Sequence, residues 1–193
     1  MANYYTMREL RARAGGLTAE GARERLRESA KSAVGPFDVF LSHSFQDAQV
    51  ILGLRGLLSD QGLRVYVDWV DDPELDRSRV SSATAARLRQ RMQQSRSLIY
   101  ATSRAARKSR WMPWELGYFD GIRDGSRVSI LPVDGDGLSA FDGEEYLGLY
   151  RVIEKVNADD QIRPYVLSHS RRQGESLASF VNGQGRLEDL VKL

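Results

Sequence analysis

The amino-acid sequence predicts an α/β fold with a doubly wound, parallel sheet of five strands. Between residues 37 and 156, short apolar segments of strand length alternate with longer segments of helical period. The apolar segments are continuous, which is typical of parallel strands covered on both faces. We therefore expect helices on both faces and, by analogy with flavodoxin-like sheets, the strand order 2-1-3-4-5.

Each predicted strand is short, apolar and rich in β-branched or aromatic residues. The five strands are predicted at 37–41, 63–67, 97–101, 127–133 and 150–156. Helices are predicted between them at 47–61, 81–95 and about 112–124, and nearer the C-terminus at 176–182 and 187–193. Loops are expected at 70–79, which carries Pro73 and four acids, and at 134–143, which is rich in Gly and Asp.

Residues 1–35 are predicted to form an N-terminal helical extension, and residues 36–193 the main domain together with its C-terminal helices. The segment 18–30 is rich in helix formers, and Thr18 is suited to cap it. Its apolar side is narrow, so this helix is not expected to be stable alone. We expect it to pack on the main domain or on a second copy of the chain.

The composition excludes several classes of protein. The chain has 193 residues, no cysteine and two histidines, which excludes disulfides, thiolate metal sites and His-rich metal sites. It has no apolar run near 18 residues and no signal-peptide pattern, so we expect a cytoplasmic protein without a membrane partner. No Gly-rich loop follows the first strand, which argues against a Rossmann or P-loop nucleotide site. We expect neither a metal nor a resident cofactor.

Basic residues are concentrated between Arg87 and Arg110, where eight Lys or Arg occur without an acid. Three interpretations are open: a solvated helix face, a site for a phosphorylated ligand, or a nucleic-acid surface. Aromatic residues spaced for base stacking are missing from this stretch, so we expect no nucleic-acid partner. The basic residues at 104–110 fit phosphate binding and solvent exposure equally well.

The candidate site is predicted where the strand order reverses, because ligands of such sheets bind beyond the carboxyl ends of the strands at that point. The polar or aromatic residues that follow the first three strands are Ser42, His43, Asp68, Trp69, Thr102 and Ser103. The stretch after the third strand carries Glu115 among aromatic residues that include Trp111. A carboxylate among large apolar groups is costly unless it is paired or used. Glu115 is therefore predicted to be the working residue.

Three motifs in this order resemble those of TIR (Toll/interleukin-1 receptor) domains. The segment 37–44, with Asp47, resembles their first-strand motif. The segment 65–68, followed by an acidic loop that contains proline, resembles their second strand and BB loop. Trp111-x-x-x-Glu115 matches the WxxxE motif of enzymatic bacterial TIR domains.

The resemblance covers residues 36 to about 156, and it implies an NAD+-consuming enzyme with Glu115 as the catalytic glutamate. The activity would be that of an NAD+ glycohydrolase or ADP-ribosyl cyclase, with NAD+ as substrate. Stand-alone bacterial proteins of this kind act in anti-phage defence, including Thoeris-type systems, where a cyclic or conjugated ADP-ribose signals to a separate effector. The resemblance also implies self-association through the 70–79 loop, and the N-terminal helix is a second candidate surface.

The chemistry suits a site with one carboxylate. Nicotinamide leaves as a neutral molecule, so no strong general acid is required as the ribose gains oxocarbenium character. An ionised Glu115 would bind the ribose hydroxyls and stabilise the developing positive charge, while Trp111 would form a wall that excludes water. A nucleophile from the same molecule would then give a cyclic product, and a free small molecule would give a conjugate.

Structural roles remain open for the same residues. Glu115 lies two residues after Pro113 and is suited to cap the helix N-terminus. Asp68 could cap its loop, and the acids at 71–76 could form a solvated turn. The segment 42–44 is favoured as pocket-lining or structural over a Ser–His catalytic pair. The alternative function is a non-catalytic TIR adaptor that acts by TIR–TIR assembly.

Overall fold

The sheet of the computed structural model contains eight strands within the residues that the model describes. The model describes residues 3–31, 36–44, 47–72, 81–103, 106–133 and 145–190. Within these ranges the strands are β1 Phe37–Ser42, β2 Val65–Tyr66, β3 Ser95–Thr102, β4 Val128–Pro132, β5 Arg151–Ala158, β6 Gln161–Leu167, β7 Gln173–Ser176 and β8 Glu188–Asp189. They form one sheet in the order β2-β1-β3-β4-β5-β6-β7-β8. The predicted loop 134–143 and residues 73–79 of the acidic loop lie outside the described ranges.

The described helices lie between the strands and at the two ends of the chain. They are α1 Met7–Arg13, α2 Ala19–Lys31, α3 Ala48–Ser59, α4 Asp68–Asp71, α5 Ser82–Gln93, α6 Met112–Arg123 and α7 Leu177–Asn182. Side chains set several of the helix starts. Asp47 accepts hydrogen bonds from two backbone N–H groups at the start of α3, and Ser81 accepts one from the backbone N–H of Thr84 at the start of α5. The predicted helices at 47–61, 81–95, 112–124 and 176–182 are confirmed within one or two residues of their ends.

The predicted order of the first five strands is confirmed. β1 pairs in parallel with β2 and with β3, and Ser42 lies opposite Tyr100. β3 continues in parallel to β4, where Thr102 lies opposite Pro132, and β4 to β5. The carboxyl ends of the first four strands therefore share one edge of the sheet, which is the edge that carries the candidate site.

The predicted count of five strands is too low, because the sheet continues through three antiparallel strands. β6 returns along β5 after a tight turn in which Asp159 and Asp160 both have positive φ, at 52° and 58°. β7 and β8 follow in antiparallel pairing. The helix predicted at 187–193 is wrong over its first part, because Glu188–Asp189 forms β8. Residues 191–193 lie outside the described chain.

Two apolar clusters cover the two faces of the parallel part of the sheet. On one face, Val39 and Leu41 of β1 share a cluster with α3 and the N-terminal helices. On the other face, Phe40 shares a cluster with α5 and α6. Successive side chains of a strand point to opposite faces, so β1 contributes to both clusters. This arrangement places α6 directly over the face of β1 that ends in Ser42.

The N-terminal helices pack on their own chain. Leu10 of α1 and Leu26 of α2 are fully buried in the same cluster as α3. The contact between α1 and α3 is close at Gly53, where an added Cβ would lie 1.9 Å from the carbonyl oxygen of Leu10. The extension was predicted to pack either on the main domain or on a second copy of the chain. The structure shows it packed on the main domain. The boundary between the predicted domains at residue 35 stays a prediction.

Residues 3–5 enter the sheet between β4 and β5. The two strands pair at Ser129 with Arg151 and at Ile130 with Val152. Beyond these pairs, Tyr5 forms a parallel bridge with Val133, and the backbone N–H of Lys155 donates to the carbonyl of Asn3 at 2.8 Å. The N-terminal segment thus fills the opening between two parallel strands. Across the described chain, the helices are too short or too polar to cross a membrane.

Candidate active site

Glu115 and Ser42 form a buried pair at the carboxyl edge of the sheet. Glu115 lies in the first turn of α6 and has no exposed surface. Ser42, the last residue of β1, is also fully buried, and its Oγ donates a hydrogen bond of 2.6 Å to Oε2 of Glu115. A short bond to a carboxylate is of the strong, charge-assisted kind. The position in the first helical turn also suits a negative charge, so the two predicted roles of Glu115 are compatible.

Trp111 immediately precedes α6 and lies one helical turn before Glu115. Its side chain is 6% exposed, and its ring meets the ring of Trp114 edge-on at 5.5 Å between centroids. Trp114 in turn stacks on Tyr118 at 5.9 Å. Residues four apart on a helix share a face, which places the Trp111 indole on the same side of the helix start as Glu115.

His43 and Asp68 form a second buried pair beside the first. Nε2 of His43 lies 3.2 Å from Oδ1 of Asp68, and the two side chains are only 2% and 4% exposed. Asp68 is the first residue of α4, directly after β2, so the pair joins the ends of two neighbouring strands. Ser42 and His43 contact different acids. This geometry gives no Ser–His nucleophile, and it supplies an acid beside His43 that sequence order alone does not suggest.

The remaining predicted residues lie at the same edge with different surroundings. Thr102 ends β3 and is half-buried, while Ser103 is buried and accepts a long hydrogen bond of 3.4 Å from the backbone N–H of Ala106. Trp69 is half-buried against the cluster under α3, and its indole Nε1 has no hydrogen-bond partner among the residues that the structure describes. The structure thus places Ser42 in contact with Glu115, whereas the Ser103 hydroxyl bonds within the turn that follows β3.

A third buried group was not predicted. Arg91 of α5 donates two hydrogen bonds of 2.7 Å to the carboxylate of Asp72, which also accepts one of 3.0 Å from the hydroxyl of Tyr66. Burial raises the pKa of Asp72, but the bonds from Arg91 and Tyr66 outweigh it and hold that pKa below its usual value. Burial and the neighbouring Asp72 raise the pKa of Tyr66.

This group bears on two interpretations that the sequence left open. Asp72 is 3% exposed, so the acidic segment is not a solvated turn at that residue, while residues 73–76 lie outside the described chain. Arg91, whose side chain is 22% exposed, is paired with the buried carboxylate of Asp72 and does not belong to a solvated basic face. One signal was present in the sequence: the hydroxyl of a tyrosine in a buried strand requires a polar partner.

The basic residues before α6, at 104–110, were predicted either to contact the phosphates of a substrate or to face solvent. Lys108 and Arg110 are exposed, and residues 104 and 105 lie outside the described chain. Their predicted contact with substrate phosphates stays a prediction. Among the residues that the structure covers, no group of three or more His, Asp or Glu is arranged to hold a metal ion.

The family of the chain follows from comparison with known domains. The model of the TIR domain matches residues 39–163, which include both buried pairs and the whole of α6. The chain belongs to the TIR domain family. The TIR fold class predicted from the three motifs is confirmed. The N-terminal segment 3–38, including α1 and α2, lies outside the matched part of this TIR chain.

Two bacterial relatives resemble this TIR chain. One, from Bacillus cereus strain MSX-D12, is provisionally named the 3′ cyclic ADP-D-ribose synthase ThsB′. It is 47% identical over 138 residues, which are 71% of this chain and 70% of the relative. The other, from Cytobacillus dafuensis, is provisionally named the cyclic ADP-D-ribose synthase TIR2. It is 32% identical over 83 residues, which are 42% of this chain and 22% of that relative.

Proposed function

We propose that this TIR chain cleaves the nicotinamide–ribose bond of NAD+ and makes a cyclic ADP-ribose signal in bacterial anti-phage defence. The observation that carries the proposal is the fully buried carboxylate of Glu115, held by Ser42 at the edge where sheets of this kind bind ligands. A buried carboxylate is costly to keep, which favours a role in chemistry. The synthase names of the two relatives support the same reaction class.

In the proposed reaction, the bond between C1′ of the ribose and the pyridinium nitrogen breaks, and nicotinamide leaves as a neutral molecule with the bonding electrons. Ionised Glu115 stabilises the positive charge that develops on the ribose. A nucleophilic atom of the same molecule then attacks C1′, forms the new bond and releases a proton. Attack by water instead yields linear ADP-ribose, so the cyclic product requires that water be excluded.

The other predicted residues receive binding roles in this proposal. Trp111 forms a wall beside Glu115, and the aromatic face suits the pyridinium cation of the substrate. Ser42 positions the carboxylate, and the buried pair of His43 and Asp68 shapes the adjoining wall. Trp69, Thr102 and Ser103 complete the substrate-binding set. NAD+ acts as substrate, and the proposal assigns no resident cofactor.

The test is to incubate the purified chain with NAD+ and to follow nicotinamide release, with mass spectrometry of the products. We expect a product lighter than ADP-ribose by one water, with or without activation by extract from infected cells. Glu115→Gln keeps the shape of the side chain and an oxygen that accepts from Ser42. It should lower the turnover by about 10²–10³-fold, because it removes the stabilising charge.

Glu188→Gln is the matched control, because it makes the same chemical change on an exposed residue of β8. It should retain full activity. If a folded wild-type chain releases no nicotinamide under either condition, or if Glu115→Gln is as active as the wild type, the proposal is wrong.

The adaptor alternative is not favoured, since the relatives carry synthase names. An adaptor would keep its function in Glu115→Gln, so the same variant distinguishes the two. A downstream effector that senses the product, and self-association through the 70–79 loop, remain part of the proposal. The N-terminal helices offer less for self-association, because Leu10, Ala22 and Leu26 are already buried within their own chain.

A further inference from the structure

Asp68 lies beside the candidate site on a segment that has little stability of its own. The strand before it, β2, has two residues, and the helix that it begins, α4, has four. A helix of one turn is not stable in isolation, and Val67 at its start provides no side-chain cap. The position of Asp68 against His43 therefore depends on what packs against α4.

The N-terminal extension supplies that packing through α2. This helix contacts α4, and its buried side chains, Ala22 and Leu26, lie in the same apolar cluster as Val70 of α4. Ala22 and Leu26 have no exposed surface, and Val70 is 3% exposed. The other residues of α2 whose side chains the structure describes are exposed or half-buried, so Ala22 and Leu26 carry the contact. Burial of this apolar surface stabilises α4 from outside its own sequence.

The segment that follows β1 also contacts the N-terminal extension. Asp47 caps α3, and its Oδ2 accepts a hydrogen bond of 2.8 Å from Nε of Arg11 in α1. The carbonyl of Leu17, between α1 and α2, accepts a hydrogen bond from the side-chain amide of Gln49. The extension thus contacts both segments that lead from the buried His–Asp pair, the one after β1 and the one after β2.

The opposite end of the extension is attached to β5. The backbone N–H of Asn3 donates to Oε2 of Glu154 at 3.1 Å, and Nζ of Lys155 donates to Oε1 of Glu9 at 2.7 Å. Glu9 also completes a capping box with Thr6 at the start of α1. The extension is therefore bonded to the sheet at one end and packs on α4 at the other, which limits how far α2 can move away from α4.

We propose that α2 stabilises α4 and thereby holds Asp68 against His43, so that Leu26 is a positioning residue of the candidate site. The match to the TIR family begins at residue 39, so this packing lies outside the matched part of the chain. Its effect on substrate binding rests on the proposed function, in which His43 and Asp68 shape a wall of the site. A displaced pair should therefore weaken the binding of NAD+ more than the chemical step at Glu115.

The first test measures hydrogen exchange at the amides of Val70 and Asp71, which donate to the carbonyl of Val67 within α4. Leu26→Ala should raise their exchange rates at least about tenfold, because α4 then opens locally. Leu177→Ala is the matched control, since it truncates a fully buried leucine of the same cluster in α7, which packs on β1, β3, β6 and β7. It should change these rates less than about twofold.

The second test observes the histidine rings by NMR. The chain has two histidines, so the ring signals of His43 have a single internal reference, His169. His169 is exposed, and its Nε2 lies 3.3 Å from the carbonyl oxygen of Leu149. Leu26→Ala should shift the ring signals of His43, because its partner on α4 is displaced, and should leave those of His169 in place. Leu177→Ala should leave both sets in place.

The third test separates positioning from a loss of folded protein. With nicotinamide release as the assay, Leu26→Ala should raise KM for NAD+ at least about fivefold and change kcat less than about twofold. A smaller folded fraction would instead lower the apparent kcat and leave KM unchanged. Leu26→Met restores most of the lost volume, so its KM should lie within about twofold of the wild-type value. Leu177→Ala should leave KM unchanged.

The outcomes distinguish this inference from the proposed function. Equal exchange at α4 and equal His43 signals in Leu26→Ala and Leu177→Ala would overturn the inference, whatever the activity. An unchanged KM in Leu26→Ala, or a raised KM that Leu26→Met does not restore, would also overturn it. A wild-type chain that releases no nicotinamide would overturn the proposed function together with the expected change in KM. The exchange rates and the ring signals would then decide whether α2 holds Asp68 in position.

Discussion

Gly53 is the point at which α3 contacts α1, and its replacement by alanine is expected to loosen the N-terminal helices. The added Cβ would lie 1.9 Å from the carbonyl oxygen of Leu10 and 2.7 Å from its carbonyl carbon. Both atoms belong to the backbone, so no side-chain rotation relieves the contact. Carbon and a carbonyl oxygen normally approach to about 3.3–3.6 Å, so α1 must withdraw by more than about 1 Å.

The cost follows from what this withdrawal disturbs. Leu10 is fully buried and Tyr5 is 6% exposed. Overpacking of this kind costs about 1–3 kcal/mol, and partial loss of Leu10 burial adds a similar amount. Alanine recovers up to about 1 kcal/mol of helix propensity. We expect Gly53→Ala to lower the free energy of unfolding by about 2 kcal/mol, which lowers Tm by roughly 6 °C in a chain of this size.

The assay is thermal and urea unfolding, with hydrogen exchange of the α1 amides as a local measurement. Gly56→Ala is the control, because it lies in the same helix with open space around its added Cβ. It should raise Tm slightly through helix propensity. The two substitutions are therefore expected to have opposite signs. A Gly53→Ala chain that unfolds at or above the wild-type temperature would refute the reasoning.

Two further predictions concern buried acids. The pKa of Asp72 is lower in the folded chain than in the unfolded chain, so its stabilisation is present above the unfolded value of about 3.9 and is lost as pH falls through the folded value. The difference in unfolding free energy between wild type and Asp72→Asn should shrink as the pH falls below about 4, and a difference independent of pH would contradict the ion pair with Arg91. Ser42→Ala should cost about 1.5–3 kcal/mol in urea unfolding, because it removes a bond to a carboxylate. Ser97→Ala, which removes an equally buried bond to a neutral carbonyl, should cost about half as much, and equal costs would contradict a charged Glu115.

The parallel half of the fold was predictable because its signals are local and periodic. Apolar strands such as 37–41 alternate with helices whose apolar residues recur every three or four positions, and few topologies accommodate that alternation. The antiparallel half gave weaker signals. Two of the first three residues of β6, Gln161 and Arg163, are polar, and the strand is stabilised by its pairing with β5. β8 is two residues long, which is too short for any period to be visible.

The edge of the sheet at which the predicted site residues lie was predictable, but the pairings of these residues were not. The carboxyl ends of parallel strands meet at one edge, which brings Ser42, Asp68 and Thr102 together on topology alone. The bond between Ser42 and Glu115 joins residues 73 positions apart, and it depends on the direction of each side chain within the packed sheet. The bond between Arg91 and Asp72, 19 positions apart, depends likewise on how α5 lies over β2. Residue types and spacing do not encode these directions.

The insertion of residues 3–5 between β4 and β5 has a consequence for the synthesis of the chain. The N-terminal segment leaves the ribosome long before Lys155, to which the carbonyl of Asn3 is bonded. Until Lys155 is synthesised, the opening between β4 and β5 that holds Tyr5 does not exist. The apolar side of α1 likewise stays exposed until α3 has been synthesised. The sheet can therefore close around residues 3–5 only after β5 has been synthesised. A nascent chain that stops before β5 leaves these residues exposed to chaperones and proteases.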